Sequence, residues 1–411
     1  MNKSLFGYNN KRDSSLFILC WIAYTSTYIC RLNFSAVIPE LTSGNIMSES
    51  RIATISSVFF ICYGLGQVFS GIIGDKLNTR LMVFTGVFVS SICNILIFFF
   101  HTFEALLILW ALNGIVQSLV WTPILKIASV EYDSDSRDKF GINMATTSPT
   151  GTILSYALSL ITLLFLPWNY VFLVCGSVVG IGAITWFVGT GKLKLKKQEK
   201  AKKDVPEKIV GASKIIKICL TSGVVLMLIP IMVQGTLKDS VTQWTPEFFS
   251  SQFNSTTTFS LAMTMVLPLV NVTGAYFAKK LNKKINNELK TAVVFFMIAV
   301  VFLLTLRLFA GKSAILSLVC MAGVTNCMFS INVMLITMVP LRFSKYGIVS
   351  TVGGILNATA YIGCAATNMV AGKILDNTGN WNTLFIFWIA LGIVAAGVSL
   401  IASFIWKKSR D

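Results

Sequence analysis

Arg31 sits at the centre of Tyr28-Ile29-Cys30-Arg31-Leu32-Asn33-Phe34-Ser35, in a stretch from Ser15 to Pro39 otherwise rich in Leu, Ile, Trp, Tyr, Phe and Val. A guanidinium in the middle of an apolar helix costs about 2.5–3.5 kcal/mol even on insertion scales. It is therefore kept for a function, or neutralised by a carboxylate as structural glue. Lys238 has matching surroundings: Arg31 is followed eight residues later by Pro39-Glu40-Leu41, and Lys238 eight residues later by Pro246-Glu247-Phe248. Lys126 is a third cation within an apolar stretch, although its long stem could equally carry the charge out to the membrane surface.

The acids nearest these stretches are Glu40, Glu104, Glu131, Asp239, Glu247 and Asp376, and all except Asp239 fall at expected helix ends. Asp239 directly follows Lys238. On a helix the two side chains leave about 100° apart, so they need not neutralise each other. Two or three cations with at most one carboxylate suit an anion. Arginine offers a planar fork to phosphate or carboxylate oxygens, and lysine a mobile point charge. In a low dielectric the empty site repels itself, so a bound dianion stabilises it. That favours exchange of one anion for another over movement of the empty carrier.

The elements that hold these residues follow from the apolar runs. Twelve spans are expected, at about 15–40, 52–74, 81–100, 104–130, 139–166, 169–189, 216–249, 257–278, 291–310, 313–341, 346–375 and 381–406, each long enough to cross a bilayer as a helix. With the N-terminus placed in the cytoplasm, 27 of the 34 Lys and Arg residues collect on one side, including ten lysines from Lys192 to Lys217. The positive-inside rule then puts both termini in the cytoplasm. The expected organisation is a short N-terminus (1–14), a six-helix half (15–190), a basic linker (191–215) near the anionic leaflet, a second six-helix half (216–406) and a short C-terminus (407–411).

The two halves repeat. Besides the Arg31 and Lys238 match, Lys76-Leu77-Asn78-Thr79-Arg80 resembles Lys280-Leu281-Asn282-Lys283-Lys284, and Lys139-Phe140-Gly141-Ile142 resembles Lys345-Tyr346-Gly347-Ile348, at offsets of 207, 204 and 206 residues. A parallel six-plus-six repeat is the architecture of carriers whose halves rock about a midplane site. The fold class is thus an all-α polytopic membrane protein.

Composition excludes other classes. Of the 411 residues, 55% are hydrophobic and 12% charged, which leaves no sizeable soluble domain. The net charge of +17 lies in loops between apolar spans, which argues against nucleic acid as a partner. The nine cysteines form no Cys-x-x-Cys pair, so neither a metal site nor a disulfide framework is indicated, and His101 sits at a helix end. No intramembrane nucleophile–base pair is visible, so an enzyme is not expected, nor is a cofactor.

Several motifs resemble the organophosphate:phosphate antiporters of the major facilitator superfamily, which include glycerol-3-phosphate and hexose-6-phosphate carriers. These are Tyr28-x-x-Arg31-x-Asn33-Phe34, then Tyr63-Gly64 with Gly71…Asp75-Lys76…Arg80, then Asn113-Gly114-x-x-Gln117-x-x-x-Trp121-x-Pro123, and Lys238-x5-Trp244-x-Pro246-x-Phe248. The resemblance covers essentially the whole chain. It implies that Arg31 and Lys238 hold a phosphate, the second as lysine where the family usually has arginine. Lys126, Tyr28, Asn33, Tyr63, Gln67, Trp121 and Tyr361 are the further substrate-binding candidates. Asp75, Lys76 and Arg80 resemble the superfamily's loop motif and imply a part in the conformational switch.

This chain has Leu32, Gln67 and Thr146 where glycerol-phosphate carriers usually have lysine, lysine and histidine, which argues against glycerol phosphate as cargo. On helix eleven, Asn357, Tyr361 and Asn368 stand in place of the lysine of some hexose-phosphate carriers. The expected activity is exchange of a phosphorylated small metabolite for inorganic phosphate, by a monomer in the plasma membrane. One alternative is a proton-coupled carboxylate or hexuronate symporter. Cys30 replaces the acid that family usually has before its arginine, so coupling would fall on Asp239 or Glu131. The other is a sugar-phosphate sensor of the same fold that does not transport.

Overall fold

Within a bilayer a helix is the one open-ended element that satisfies its own backbone, and it is the element this chain adopts. The structure, a computed structural model, describes residues 8, 10–74, 77–133, 136, 140, 143–144, 146–193, 195, 223–341 and 349–410. Among the described residues there are twelve long helices and no strand: α1 (Lys11–Ser43), α2 (Glu49–Gly74), α3 (Thr79–Phe99), α4 (Phe103–Glu131), α5 (Thr147–Leu163), α6 (Asn169–Leu193), α7 (Val224–Phe253), α8 (Thr257–Ile285), α9 (Glu288–Phe309), α10 (Ala314–Met338), α11 (Val349–Thr378) and α12 (Trp381–Arg410). Ten are long and apolar enough to cross a membrane. The other two are α5, with 17 described residues, and α11, which carries Asn357, Thr359, Tyr361, Thr367 and Asn368. Helix α1 starts at Lys11, so the expected polar N-terminus contributes its first turn. Most of the linker 191–215 lies outside the described residues.

Short polar residues start the helices by accepting orphan backbone N–H groups. Asn78 caps α3 from Arg80 N at 3.0 Å and Asn287 caps α9 from Lys290 N at 3.0 Å. Thr102 caps α4 and Ser313 caps α10, each accepting at 3.3 Å from the backbone three residues on. Equivalent helices of the two repeats thus begin on equivalent caps.

By contact the chain divides into two compact units, Met1–Val37 with Leu65–Pro206, and Ile38–Gly64 with Glu207–Asp411. The end of α1 and the first part of α2 therefore group with the second unit. Inside the first, α3 packs along α4 and α6; inside the second, α9 packs along α10 and α12. Close crossings also recur. A Cβ on Gly151 of α5 would lie 2.8 Å from the Thr25 carbonyl of α1, and one on Gly363 of α11 would lie 2.6 Å from the Met232 carbonyl of α7. Glycine lets the two backbones touch at each place. The parallel repeat read from the sequence is therefore present in the packing.

Candidate functional site

Helix α1 is broken at Cys30 (φ −86°, ψ 19°), one residue before Arg31. The Cys30 carbonyl accepts from Asn113 Nδ2 at 2.9 Å and Gln117 Nε2 at 3.2 Å, so α4 supplies donors where the regular ladder is interrupted. Gln117 serves both sides of the break. Its Oε1 accepts from Arg31 Nε at 3.2 Å and Nη2 at 3.1 Å, while its Nε2 also donates to Ser90 Oγ and Asn113 Oδ1, each at 3.1 Å. Ser90 Oγ donates to Asn113 Oδ1 at 2.6 Å. Asn94 Nδ2 donates to the Ser90 carbonyl at 2.9 Å. This is a connected polar network among α1, α3 and α4. Such a network fixes its members in one arrangement, because each would be costly to strand in the interior.

The guanidinium of Arg31 is half-buried and lies 5.1 Å from the centre of the Tyr28 ring, a cation–π geometry. Tyr24 extends the surface, edge-on to Tyr28 at 5.5 Å and packed on Trp121 at 4.5 Å. An arginine held along one edge by an amide oxygen and along its face by an aromatic ring is oriented for a planar, forked ligand. Tyr28, Arg31 and Trp121 are thus brought together. Asn33 is fully buried and donates to Asn94 Oδ1 at 2.8 Å, which places it in the brace between α1 and α3. Gln67 on α2 and Lys126 on α4 are half-buried.

In the second unit, Lys238 Nζ lies 3.3 Å from Asp239 Oδ1, with both side chains about three-quarters buried. Helical spacing left open whether these consecutive residues pair, and here they do. The four-carbon lysine stem is long enough to bring the ammonium round the helix to the carboxylate. Below them, Asn368 is fully buried: it accepts from Ser240 Oγ at 2.6 Å and Trp244 Nε1 at 3.3 Å, and donates to Gln243 Oε1 at 3.3 Å. Tyr63 is fully buried, edge-on to the half-buried Tyr361 at 4.8 Å.

The remaining candidates lie elsewhere. Glu131 accepts from Arg12 Nη2 at 2.7 Å at the end of α4, as the buried half of an ion pair. Arg80 Nε donates to Thr190 Oγ1 at 3.1 Å and Nη2 to the Phe187 carbonyl at 2.6 Å, clamping the start of α3 to α6. Asp75 and Lys76 lie outside the described residues. Thr146 is exposed and accepts from Trp21 Nε1 at 2.9 Å. Of the residues that orient Arg31, Asn113 and Gln117 entered the sequence reading only as motif positions with no assigned role, and Ser90 not at all. Their signal was Asn113, Gln117 and Trp121 at i, i+4 and i+8, one face of α4.

A twelve-helix membrane protein built from two repeats, with a fixed arginine inside its first helix, is a transporter in architecture. The family model described as Major Facilitator Superfamily matches residues 16–367, and the chain belongs to that superfamily. Its relatives include those the motifs resemble. It is 26% identical over 170 residues to the membrane sensor protein UhpC of Salmonella typhimurium, covering 41% of this chain and 38% of that one. It is 27% identical over 162 residues to the glycerol-3-phosphate transporter of Bacillus subtilis (38% and 36%), and 33% identical over 177 residues to sugar phosphate exchanger 3 of Xenopus laevis (38% and 34%). The matches thus span little more than a third of each relative's length. Among solved structures, a bacterial homologue of the lysosomal transporter Spinster superposes with a TM-score of 0.79 at 12% identity, covering 98% of this chain and 99% of that one. The D-xylose–proton symporter gives 0.76 at 13%, covering 96% and 97%. The fold is shared at that distance.

Proposed function

We propose that the protein is a secondary transporter exchanging a phosphorylated small metabolite for inorganic phosphate by alternating access. It works as a monomer in the plasma membrane with both termini cytoplasmic. The observation that carries this reading is the half-buried guanidinium of Arg31, aligned by Gln117 at 3.1–3.2 Å and backed by Tyr28. A forked cation held in this way complements phosphate oxygens better than it complements a neutral sugar. Lys238 occupies the matching place in the second repeat and supplies the second positive charge. Tyr28, Trp121, Gln67, Lys126, Tyr63 and Tyr361 are assigned to contacts with the metabolite, and Asn33 to bracing α1. Arg80, in the first turn of α3, is assigned with Asp75 and Lys76 to the conformational switch. Similarity to sugar-phosphate and glycerol-phosphate carriers supports the substrate class.

Proton-coupled uptake is the weaker reading, because Glu131 and Asp239 each sit in an ion pair. Similarity to a membrane sensor favours a second reading, in which the same site binds sugar phosphate without carrying it. Counterflow in phosphate-loaded proteoliposomes, offered labelled phosphate, a panel of sugar phosphates and a hexuronate, separates them. Exchange supports the carrier. Tight sugar-phosphate binding with no flux supports the sensor, and hexuronate uptake that needs a proton gradient and no internal phosphate overturns both.

A further inference from the structure

Lys238 lies midway along the 30-residue α7, and its ammonium is 3.3 Å from the carboxylate of the next residue. Ion pairs that stabilise a fold usually join separate elements. This one joins consecutive residues of one helix, so it moves as a unit with α7. The neighbouring polar side chains are engaged elsewhere. Ser240 Oγ donates to Asn368 at 2.6 Å, and Thr242 Oγ1 donates to the Lys238 carbonyl at 2.7 Å. What Asp239 changes is the charge presented at the position of Lys238.

We propose that Asp239 is an internal counter-ion that takes the place of the transported anion at Lys238 when the carrier is empty, so that the unloaded protein can reorient and net anion movement accompanies exchange. The inference rests on the reading of Lys238 as an anion ligand. A lone ammonium at this depth is costly, and an occupying anion removes that cost. A carrier whose cations have no internal counter-ion is therefore held back whenever it is unloaded, and it exchanges without leaking. With Asp239 at ion-pair distance, the unloaded state is already neutralised at Lys238, and the cost of reorienting empty falls. The same carboxylate competes with the substrate: an incoming phosphate must displace it from Lys238, and it repels the phosphate once bound. Asp239 thus trades affinity for freedom to return empty. It needs no proton and no second ion.

The test is efflux of labelled phosphate from proteoliposomes into medium with and without phosphate, for the wild type, Asp239→Asn and Asp239→Glu. The wild type is expected to release label into phosphate-free medium well above protein-free vesicles, and faster when phosphate is outside. Asp239→Asn is expected to lose release into phosphate-free medium while retaining exchange, with its half-saturating phosphate concentration lowered several-fold. Asp239→Glu restores both wild-type properties. Wild-type exchange with no net release overturns the inference and leaves the exchange reading standing. So does an Asp239→Asn protein whose net release and half-saturation match the wild type. Failure of the wild type to exchange phosphate at all removes the exchange reading, and this inference with it.

Discussion

Replacing Gln117 with leucine asks whether Arg31 is an oriented ligand or a tolerated charge. Leucine has nearly the shape of glutamine but can neither accept from Nε and Nη2 of Arg31, now at 3.2 and 3.1 Å, nor donate to the Cys30 carbonyl at 3.2 Å. A hydrogen bond to a charged group is worth about 1.5–3 kcal/mol. If that energy holds the fork in its anion-binding pose, half-saturation by phosphate should rise about 10- to 150-fold in Gln117→Leu. Gln117→Glu keeps the geometry and adds a charge. At 3.1 Å and an effective dielectric of about 20, the new pair gains on the order of 5 kcal/mol of Coulombic attraction, which a phosphate would have to overcome. That variant should fold, with melting behaviour near the wild type, and exchange phosphate scarcely at all. Proteoliposome counterflow across a phosphate titration, together with thermal unfolding in detergent, measures both. Wild-type half-saturation in Gln117→Leu, or normal exchange by Gln117→Glu, would refute the claim that Gln117 aims Arg31.

Other outcomes follow from the packing. Arg12→Ala should lower the melting temperature more than Glu131→Gln does, because it leaves the buried Glu131 carboxylate without this partner; the loss stays below the ~3–5 kcal/mol of a fully buried pair, since Arg12 is a third exposed. Glu131→Gln should retain phosphate exchange, measured by counterflow. Gly363→Ala should destabilise by about 1–3 kcal/mol in detergent unfolding, because the added Cβ meets the Met232 backbone with no flexible side chain to give way. Asn368→Leu takes the acceptor from the Ser240 hydroxyl and the Trp244 indole N–H and one donor from Gln243 Oε1, and should cost several kcal/mol at about 1–3 kcal/mol per lost buried partner. Its melting curve checks this.

Much of the fold was legible because the bilayer punishes ambiguity. A spanning helix must be apolar for about 20 residues, and the loops must sort their lysines. The repeat was legible at Arg31 and Lys238 with the Pro-Glu that follows each, whereas the matching caps at Asn78 and Asn287 and the crossings at Gly151 and Gly363 showed only in the packing. Arg31 stood out from its depth alone as a charge that needs a function or a counter-ion. The residues that aim it were harder to see, since Gln117 and Asn113 lie more than 80 positions away in sequence and act on a break at Cys30 that neither proline nor glycine marks. The Lys238–Asp239 pair stayed open in the sequence because helical spacing fixes where side chains leave the backbone and says little about where a long lysine stem ends. Glu131 looked available for proton coupling until Arg12, 119 residues earlier, was found at 2.7 Å.

The most direct test of the central claim is phosphate counterflow by Arg31→Gln, Lys238→Gln and Lys238→Arg reconstituted at equal, folded protein levels. The paired-cation account predicts that both glutamine variants lose phosphate exchange and that Lys238→Arg, which keeps the charge, retains it. Normal exchange by the two neutral variants would contradict it.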